Sequence, residues 1–254
     1  MDLNGAGVFI TGGTGGIGAA LAAAFASAGA GVVTSDLPGL GADIDLDVTD
    51  AAAVASAIAG LDRLDVVVAN AGIGVGGLVE DIDRVGWDRS IEVNIRGVVN
   101  TVLPAYERLQ EQGSGSIVLM ASLAGLAGTP LLTPYAMTKS AIVGLAASLR
   151  PEAARHGIGV TVVCPGPVET PLLDEPTPTP GGDVRRYLVA SAGNPMAPSA
   201  LADLVLDAVR KDKAKVIPGR AKLLWRLSRF APNLTDREIA KGMHKELEAA
   251  ARQG

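Results

Sequence analysis

The sequence is poor in cysteine, histidine and aromatic residues. Its single cysteine, Cys164, excludes an intramolecular disulfide and favours a reducing compartment. With only two widely separated histidines, His156 and His244, the chain offers too few ligands of the usual kind for zinc, and we predict no metal site. No run of 18 apolar residues occurs, so we expect no transmembrane helix. The first residues also lack a positive n-region, and we expect a cytoplasmic protein without a signal peptide.

Charge is unevenly distributed along the 254 residues. Residues 1–209 contain 10 Lys/Arg against 22 Asp/Glu, a net charge of −12, whereas residues 210–254 contain 12 against 5, a net charge of +7. An acidic body of this kind argues against nucleic-acid binding. The basic C-terminal part needs a separate explanation.

A strand, a glycine-rich turn and a helix open the chain. Residues 7–11 have the composition of a short buried strand, and Gly12-Gly13-Thr14-Gly15-Gly16-Ile17-Gly18 follows them. Apolar residues from Ile17 to Ala28 then recur at helical spacing. Glycines let the backbone approach a pyrophosphate, and a helix N-terminus directs N–H groups at it. This stretch therefore predicts a dinucleotide-binding turn.

The second predicted strand, residues 31–35, ends at Asp36. A carboxylate at this place accepts hydrogen bonds from a ribose 2′-hydroxyl and repels a 2′-phosphate. No Lys or Arg occurs in the glycine turn or in residues 37–39. The sequence therefore predicts NAD rather than NADP as the cofactor.

Strands and helices continue to alternate along the chain. We predict further strands at 64–69, 116–121 and 160–163, and helices at about 50–59 with Thr49 as N-cap, 84–110 and 133–156. Polar or glycine-rich segments follow the strands, which is typical of an α/β doubly wound parallel sheet of the Rossmann type, with three layers. We predict one catalytic domain over residues 1–218, with a proline-rich lid or substrate loop at about 165–198, and a basic helical extension over 219–254.

Tyr135 and Lys139 lie four positions apart in one predicted helix, so they share a helix face. An ammonium held near a phenol favours the phenolate form, and the pair therefore predicts a general acid/base that works near neutral pH. Tyr135 is the one tyrosine of the three in the chain with a lysine four residues on.

Six motifs, in the usual order, resemble those of the short-chain dehydrogenase/reductase family over roughly residues 5–218. Four of them resemble its cofactor-binding segments: Thr11-Gly12-x-x-x-Gly16-Ile17-Gly18, Asp47-Val48, Asn70-Ala71-Gly72 and Pro165-Gly166-Pro167-Val168-Glu169-Thr170. Asn94, Ser122, Tyr135 and Lys139 match its catalytic four, with Ser122 thirteen positions before Tyr135. Departures from the family pattern are Ala69 and the pair Met137-Thr138, and we expect neither to touch the chemistry.

The resemblance implies a role for each site residue. Tyr135 is expected to exchange a proton with the substrate oxygen, Ser122 to orient that oxygen, and Lys139 to assist Tyr135 and hold a nicotinamide ribose hydroxyl. Asn94 is expected to hold a water that links Lys139 to solvent. The expected cofactor-binding residues are Gly12, Thr14, Gly15, Gly16, Ile17, Gly18, Asp36, Asp47, Val48, Asn70, Ala71, Gly72, Tyr135, Lys139, Pro165, Gly166, Val168 and Thr170.

The expected substrate is a small apolar secondary alcohol or ketone. Residues 73–78, 123–132 and 168–173 would form the walls around it, and they contain mostly Gly, Ala, Leu, Val and Pro. Arg185 and Arg186 in the lid remain candidates for meeting an acidic substrate tail. A non-catalytic NAD-binding regulatory protein and a 3-hydroxyacyl-CoA-type dehydrogenase remain alternatives, and we expect a homo-oligomer, either dimer or tetramer.

The basic extension contains an amphipathic stretch at residues 220–230. Leu223, Leu224, Leu227 and Phe230 fall on one helical stripe. The favoured interpretation is a helix that packs this stripe against the body or a partner subunit. Peripheral contact with an anionic membrane, with Trp225 taking part, and contact with acyl-CoA phosphates remain alternatives.

Overall fold

A computed structural model describes residues 1–174 and 183–252. Within these residues, parallel strands form one seven-stranded sheet in the order β3-β2-β1-β4-β5-β6-β7. The strands are β1 (Gly7–Thr11), β2 (Gly31–Asp36), β3 (Ile44–Asp45), β4 (Val66–Ala69), β5 (Gly115–Met120), β6 (Ile158–Val163) and β7 (Lys215–Val216). The chain order reverses between β1 and β4, the position where a doubly wound sheet opens a ligand crevice at its carboxyl edge. The predicted doubly wound Rossmann-type fold is confirmed.

Helices cover both faces of the sheet. They are α1 (Gly16–Ser27), α2 (Ala51–Ala59), α3 (Arg84–Ile91), α4 (Gly97–Gln112), α5 (Thr133–Ala154), α6 (Val184–Ala192), α7 (Pro198–Arg210), α8 (Gly219–Phe230) and α9 (Pro232–Ala251). Among the described residues, no helix is both long and apolar enough to cross a bilayer.

Alternate residues of the strands supply two separate cores. Phe9, Val67 and Ile117 point to one face of the sheet, where they join buried residues of α2, α4 and α5. Val8 and Val68 point to the other face, towards α1 and α7. Because both faces are covered, the central strands are apolar on both sides, which is why they appear in the sequence as continuous apolar runs.

Two local details differ from the sequence-based expectation. The N-cap of α2 is Asp50, whose side chain accepts from Ala53 N at 3.0 Å, and not Thr49. The Thr49 hydroxyl instead donates to Asp47 Oδ1 at 2.8 Å, because the aspartate lies within reach two residues earlier. The long helix predicted over 84–110 is interrupted by a π-helical turn at Glu92–Arg96, which contains Asn94.

The predicted lid over residues 165–198 contains a helix that the sequence analysis did not foresee, α6. Arg185 of α6 binds both Glu169, at 2.7 Å, and Asp174, at 3.0 Å. Arg186 binds Glu246 of α9 at 2.5 Å, so the lid is tied to the C-terminal extension as well. Residues 175–182 of the predicted lid lie outside the described residues.

Candidate active site

A cavity of about 590 Å³ opens at the carboxyl edge of the sheet, next to the ends of β1 and β4. It collects residues from nearly every segment that the sequence analysis selected, although these segments are distant along the chain. The predicted residues that line it are Gly12, Thr14, Gly15, Gly16, Ile17, Asp36, Asp47, Val48, Asn70, Ala71, Gly72, Ser122, Tyr135, Lys139, Pro165, Gly166, Val168 and Thr170.

The N-terminus of α1 has the features of an anion site. Its N-cap is Gly15, and among the described residues no side chain caps the helix and no acid occupies its first turn. A Cβ at Gly15 would meet no atom within 4 Å, so open space lies directly over the helix end. The free N–H groups and the positive end of the helix dipole fit the pyrophosphate of a dinucleotide.

Two glycines of the turn are required by close packing. Gly12 has a φ of +63°, and a Cβ there would come within 2.8 Å of Ala71 Cα. A Cβ at Gly18 would collide with the carbonyl oxygen of Gly12. Gly18 itself lies behind the cavity wall, so the structure gives it a packing role between α1 and the turn, and its predicted contact with the cofactor stays a prediction.

Asp36 stands at the end of β2, beside the glycine turn. Its Oδ2 accepts hydrogen bonds from Thr14 Oγ1 at 2.5 Å and from Thr14 N at 3.1 Å, and its Oδ1 accepts from Leu37 N at 2.9 Å. These bonds fix the carboxylate on the cavity wall. Oδ2 already accepts two bonds, whereas Oδ1 accepts one and can accept a further hydrogen bond, as a ribose hydroxyl would require.

Hydrogen bonds between side chains and the backbone stabilise the neighbouring wall of the cavity. Asn70 Nδ2 donates to the carbonyl oxygens of Thr11, at 3.0 Å, and Gly12, at 2.9 Å, which joins the end of β4 to the glycine turn. Asp47 Oδ1 accepts from Thr49 N at 2.9 Å. Asp47 and Val48 line the cavity on the side of Leu37 and Leu40.

Tyr135, Lys139 and Ser122 line the cavity on the side of β5 and α5. Lys139 Nζ lies 5.5 Å from the centroid of the Tyr135 ring and donates to Met120 O at 2.9 Å. Ser122, just after β5, caps the short turn Leu123–Gly125, with its Oγ accepting from Ala124 N at 3.2 Å. A hydroxyl that accepts in this way keeps its own proton for donation.

Burial sets the ionisation of Lys139. Its side chain is buried beneath the cavity floor, and this desolvation lowers the pKa of Lys139 from 10.5 to about 8. Lys139 therefore remains mainly protonated at neutral pH. Burial also raises the pKa of Cys164 to about 12, so its thiol is neutral there and supplies no competing charge.

Asn94 is buried and its amide is directed at protein atoms. Its Oδ1 accepts from Ile73 N at 2.9 Å, and its Nδ2 donates to Ile73 O at 3.0 Å and to Thr138 Oγ1 at 3.1 Å. The side chain lies behind the cavity wall, where it fixes the segment that follows Gly72. The proposed role of Asn94 in holding a water stays a prediction.

Thr138 is a candidate positioning residue that the sequence analysis missed. Its hydroxyl accepts from Asn94 and donates to Tyr135 O at 2.8 Å, and the side chain is fully buried. Thr138 does not line the cavity and reaches the site only through Asn94 and the Tyr135 backbone, so the expectation that Met137-Thr138 does not touch the chemistry stays a prediction. The missing information was the position of Asn94, in the π-helical turn, next to the second turn of α5.

The substrate end of the cavity is apolar. Its wall includes Ile73, Leu123, Leu132 and Leu172 from the segments that the sequence predicted. Leu131, with an unusual φ of +63°, links two of these segments because its carbonyl accepts from Gly77 N at 2.8 Å. The α6 residues Val184, Leu188 and Ala192 complete this wall.

Three arginines occupy positions that differ from expectation. Arg89 of α3 lines the cavity, although no motif marked it. Arg185 and Arg186 are engaged in ion pairs with acids of the chain and do not line the cavity, because the α6 residues that face it are apolar. The idea that these two arginines meet an acidic substrate tail is not supported by this placement.

Comparison with known proteins defines the class. A family model described as short chain dehydrogenase matches residues 39–180. The chain is 32% identical to 2-(S)-hydroxypropyl-CoM dehydrogenase 3 of Xanthobacter autotrophicus, over 84% of this chain and 92% of that protein. The chain belongs to the short-chain dehydrogenase/reductase family, a family of oxidoreductases.

Other relatives differ in substrate. The chain is 34% identical to 2-keto-3-deoxy-L-fuconate dehydrogenase of Xanthomonas campestris, over 71% of this chain and 64% of that protein. Among solved structures, a short-chain dehydrogenase/reductase from Burkholderia phymatum in complex with NAD has a TM-score of 0.82 at 25% identity, over 92% of this chain and 96% of that one.

Proposed function

We propose that this protein transfers a hydride between NAD(H) and a hydrophobic secondary alcohol or ketone, with Tyr135 as the general acid/base. One observation carries the proposal: a single cavity has an uncapped helix N-terminus with Asp36 at one end and Tyr135, Ser122 and Lys139 at the other. The first end fits a dinucleotide. The second end has the groups that proton transfer to a substrate oxygen requires.

The chain's own residues perform the proton chemistry. Ser122 donates its hydroxyl proton to the substrate oxygen and orients it towards Tyr135. In the oxidative direction, the Tyr135 phenolate takes the proton of the alcohol, and in the reductive direction the phenol returns it. The bound nicotinamide supplies or accepts the hydride. Transfer requires a fixed geometry, which the bonds of Ser122 and Thr138 provide.

Lys139 supports this cycle by charge and by hydrogen bonding. Its ammonium lies close enough to the Tyr135 ring to favour the phenolate electrostatically. An ammonium has three donors, and one of them is used by Met120 O. The remaining donors are suited to a hydroxyl of the nicotinamide ribose.

The preference for NAD rests on Asp36. Its carboxylate stands on the wall beside the glycine turn, where it would accept from a ribose 2′-hydroxyl and repel a 2′-phosphate. Within the described residues, the basic side chains on the cavity wall are Arg89 and Lys139. Lys139 lies beside Tyr135, so Arg89 is the remaining cation of this wall whose charge would favour a phosphate, and we infer that the preference is a balance between Asp36 and Arg89.

The proposed substrate class rests on the wall around Tyr135. Apolar side chains from four segments, including α6, enclose this end and leave few polar groups to recognise a hydroxylated substrate. A sugar would need several donors and acceptors here. The named relatives act on different substrates, so the wall itself is the argument for an apolar alcohol.

A substrate panel tests the proposal directly. Purified protein would be offered steroids, terpene alcohols and 3-hydroxyacyl thioesters with NAD or NADP, and reduced nicotinamide would be measured by absorbance. We expect turnover of an apolar secondary alcohol with NAD. Turnover of a polyhydroxylated substrate alone would refute the substrate class. Absence of turnover across the panel, despite measured NAD binding, would favour the non-catalytic NAD-binding alternative.

A further inference from the structure

Helix α8 of the basic extension turns an apolar face to solvent. Ala221 is buried and Leu224 and Trp225 are half-buried, so these residues attach the helix to the body. On the opposite side, Phe230 is 81% exposed and Leu223 is 58% exposed. A globular protein normally buries such residues when they share one helix face.

Four exposed residues make up what we call the apolar stripe: Leu223, Leu227 and Phe230, which share one face of α8, and Leu234, which lies near the start of α9. Leu227 is 42% exposed, and Leu234, just inside α9, is 57% exposed. Of the predicted stripe only Leu224 turns towards the body, so the predicted packing against the body is not seen for the rest, and packing against a partner subunit stays a prediction. Trp225 also faces inward, with Lys215 Nζ 5.7 Å from its ring centroid.

Basic residues border the apolar stripe. At about 100° per residue, Lys222, Arg226 and Arg229 fall on the helical arc next to it, and Arg220 falls on its other side. Residues 219–230 contain these four basic residues and no acid, and the first acid after them is Asp236. Long basic side chains beside an apolar face can reach the phosphates of a lipid surface while the apolar groups enter it.

The charge of the whole chain would orient this helix. Residues 1–209 have a net charge of −12 and residues 210–254 a net charge of +7. An anionic surface would repel the body and attract the extension, so the molecule would approach with α8 first.

Helix α8 is firmly attached behind the stripe. Ala221 is buried against the body, and Ser228 Oγ lies 3.3 Å from Leu126 O, in the loop that follows Ser122, and 2.9 Å from Trp225 O of its own helix, so its single proton serves one of these two carbonyls. Helix α9, which continues from α8, is bound to the lid through Arg186 and Glu246. The stripe is therefore presented on a fixed helix and needs no folding step before it can bind.

We propose that the apolar stripe and its basic border dock this protein on the surface of an anionic phospholipid bilayer. A second copy of the chain is the competing occupant, but a standard protein interface takes roughly 20–30 residues from each partner, more than the stripe and its basic border contain. The stripe has four apolar side chains among basic ones, a pattern that fits a lipid interface better. The contact is peripheral and lies in the plane of the surface.

Sedimentation of the full chain with vesicles tests this proposal. We expect binding to phosphatidylcholine vesicles that contain phosphatidylserine, weaker binding as salt is raised, and little binding to phosphatidylcholine alone. The double variant Arg226→Glu/Arg229→Glu should bind about 30-fold more weakly or worse. The double variant Leu227→Ser/Phe230→Ser should lose binding whatever the phosphatidylserine content of the vesicles.

Val85→Ser/Leu103→Ser is the matched control, because Val85 and Leu103 are 70% and 58% exposed on other helices. It should bind vesicles as the wild type does, and NAD binding would verify that each variant is folded. Equal binding by Leu227→Ser/Phe230→Ser and the wild type would overturn the proposal, as would no binding to anionic vesicles at low salt. A dimer that dissociates in Leu227→Ser/Phe230→Ser, without any vesicle binding, would assign the stripe to a second copy instead.

Discussion

The two ends of the cavity are built in different ways. The dinucleotide end uses backbone N–H groups at the start of α1 and the carboxylate of Asp36, which come from the first 36 residues of the chain, with Asp47 and Val48 beside them. The substrate end uses side chains from β5, α5, the segment after β6 and the lid helix α6. Their relative positions depend on tertiary contacts such as the bond from Asn94 to Thr138.

This difference predicts which changes separate the two functions of the cavity. A change at the dinucleotide end should alter cofactor affinity and choice. A change at the catalytic end should alter turnover and leave cofactor binding nearly intact. Lys139 is the interesting exception, because the proposal gives it a task for both the tyrosine and the cofactor.

Among the changes that test this difference, Lys139→Met should have the largest effect, because it should lower both turnover and NAD affinity. Removing the ammonium takes away its electrostatic support of the phenolate, worth ~3 kcal/mol at the 5.5 Å that separates Nζ from the ring centroid and an effective dielectric of ~20, so turnover should fall about 10²-fold. NAD affinity should also fall, because a donor to the ribose is lost. The control is Lys241→Met, an exposed lysine of α9, which should change neither quantity. Full turnover in Lys139→Met would contradict the proposed role.

The same variant should be more stable than the wild type at pH 7. A pKa lowered from 10.5 to about 8 means that folding buries a charge at a cost of about 3 kcal/mol. Below pH 8 the lysine is protonated in both states and the full cost applies. Between pH 8 and 10.5 the folded state loses its proton and the cost disappears. Urea unfolding of Lys139→Met and the wild type would be measured at pH 7 and at pH 10. The variant's higher free energy of unfolding at pH 7 should shrink at pH 10. A difference that is the same at both pH values would contradict the predicted cost of burying the charge.

Asp36→Asn tests the dinucleotide end alone. Loss of the charge should lower the ratio of kcat/KM for NAD over NADP about 30-fold, because a charged hydrogen bond is worth about 2 kcal/mol. Asp43→Asn is the matched control, since Asp43 likewise accepts from a threonine N–H and hydroxyl, those of Thr34, at 2.8 and 2.7 Å. Asp43 does not line the cavity, so its variant should keep the ratio. An unchanged ratio in Asp36→Asn would move the selection to Arg89.

Thr138→Val tests whether the catalytic end can be impaired without any change in NAD affinity. The valine keeps the shape but removes the bonds to Asn94 and to Tyr135 O, so we expect a roughly tenfold lower kcat with NAD affinity unchanged. Thr138→Ser keeps the hydroxyl and should restore most of the turnover. Equal kcat values for the two variants would mean that the hydroxyl does not position Tyr135.

Features that depend on local sequence patterns could be predicted from the sequence, and features that depend on tertiary contacts could not. The fold and the glycine turn could be predicted because strand periodicity and the Gly12–Gly18 spacing are local patterns. Thr138, Arg89 and α6 could not be found in this way, because their importance depends on which distant segments they meet. The exposure of the apolar stripe of α8 could not be predicted from the sequence either, because an amphipathic pattern does not tell which face of a helix meets the body.

The most direct test of the central claim combines two measurements on Tyr135→Phe. NAD binding is measured by calorimetry, and turnover of the best alcohol from the panel is measured in the same preparation. We expect a Kd for NAD within about twofold of the wild type and a loss of turnover of at least about 10³-fold, because the proton acceptor alone is removed. Near-normal turnover with intact NAD binding would contradict the assignment of Tyr135 as the general acid/base.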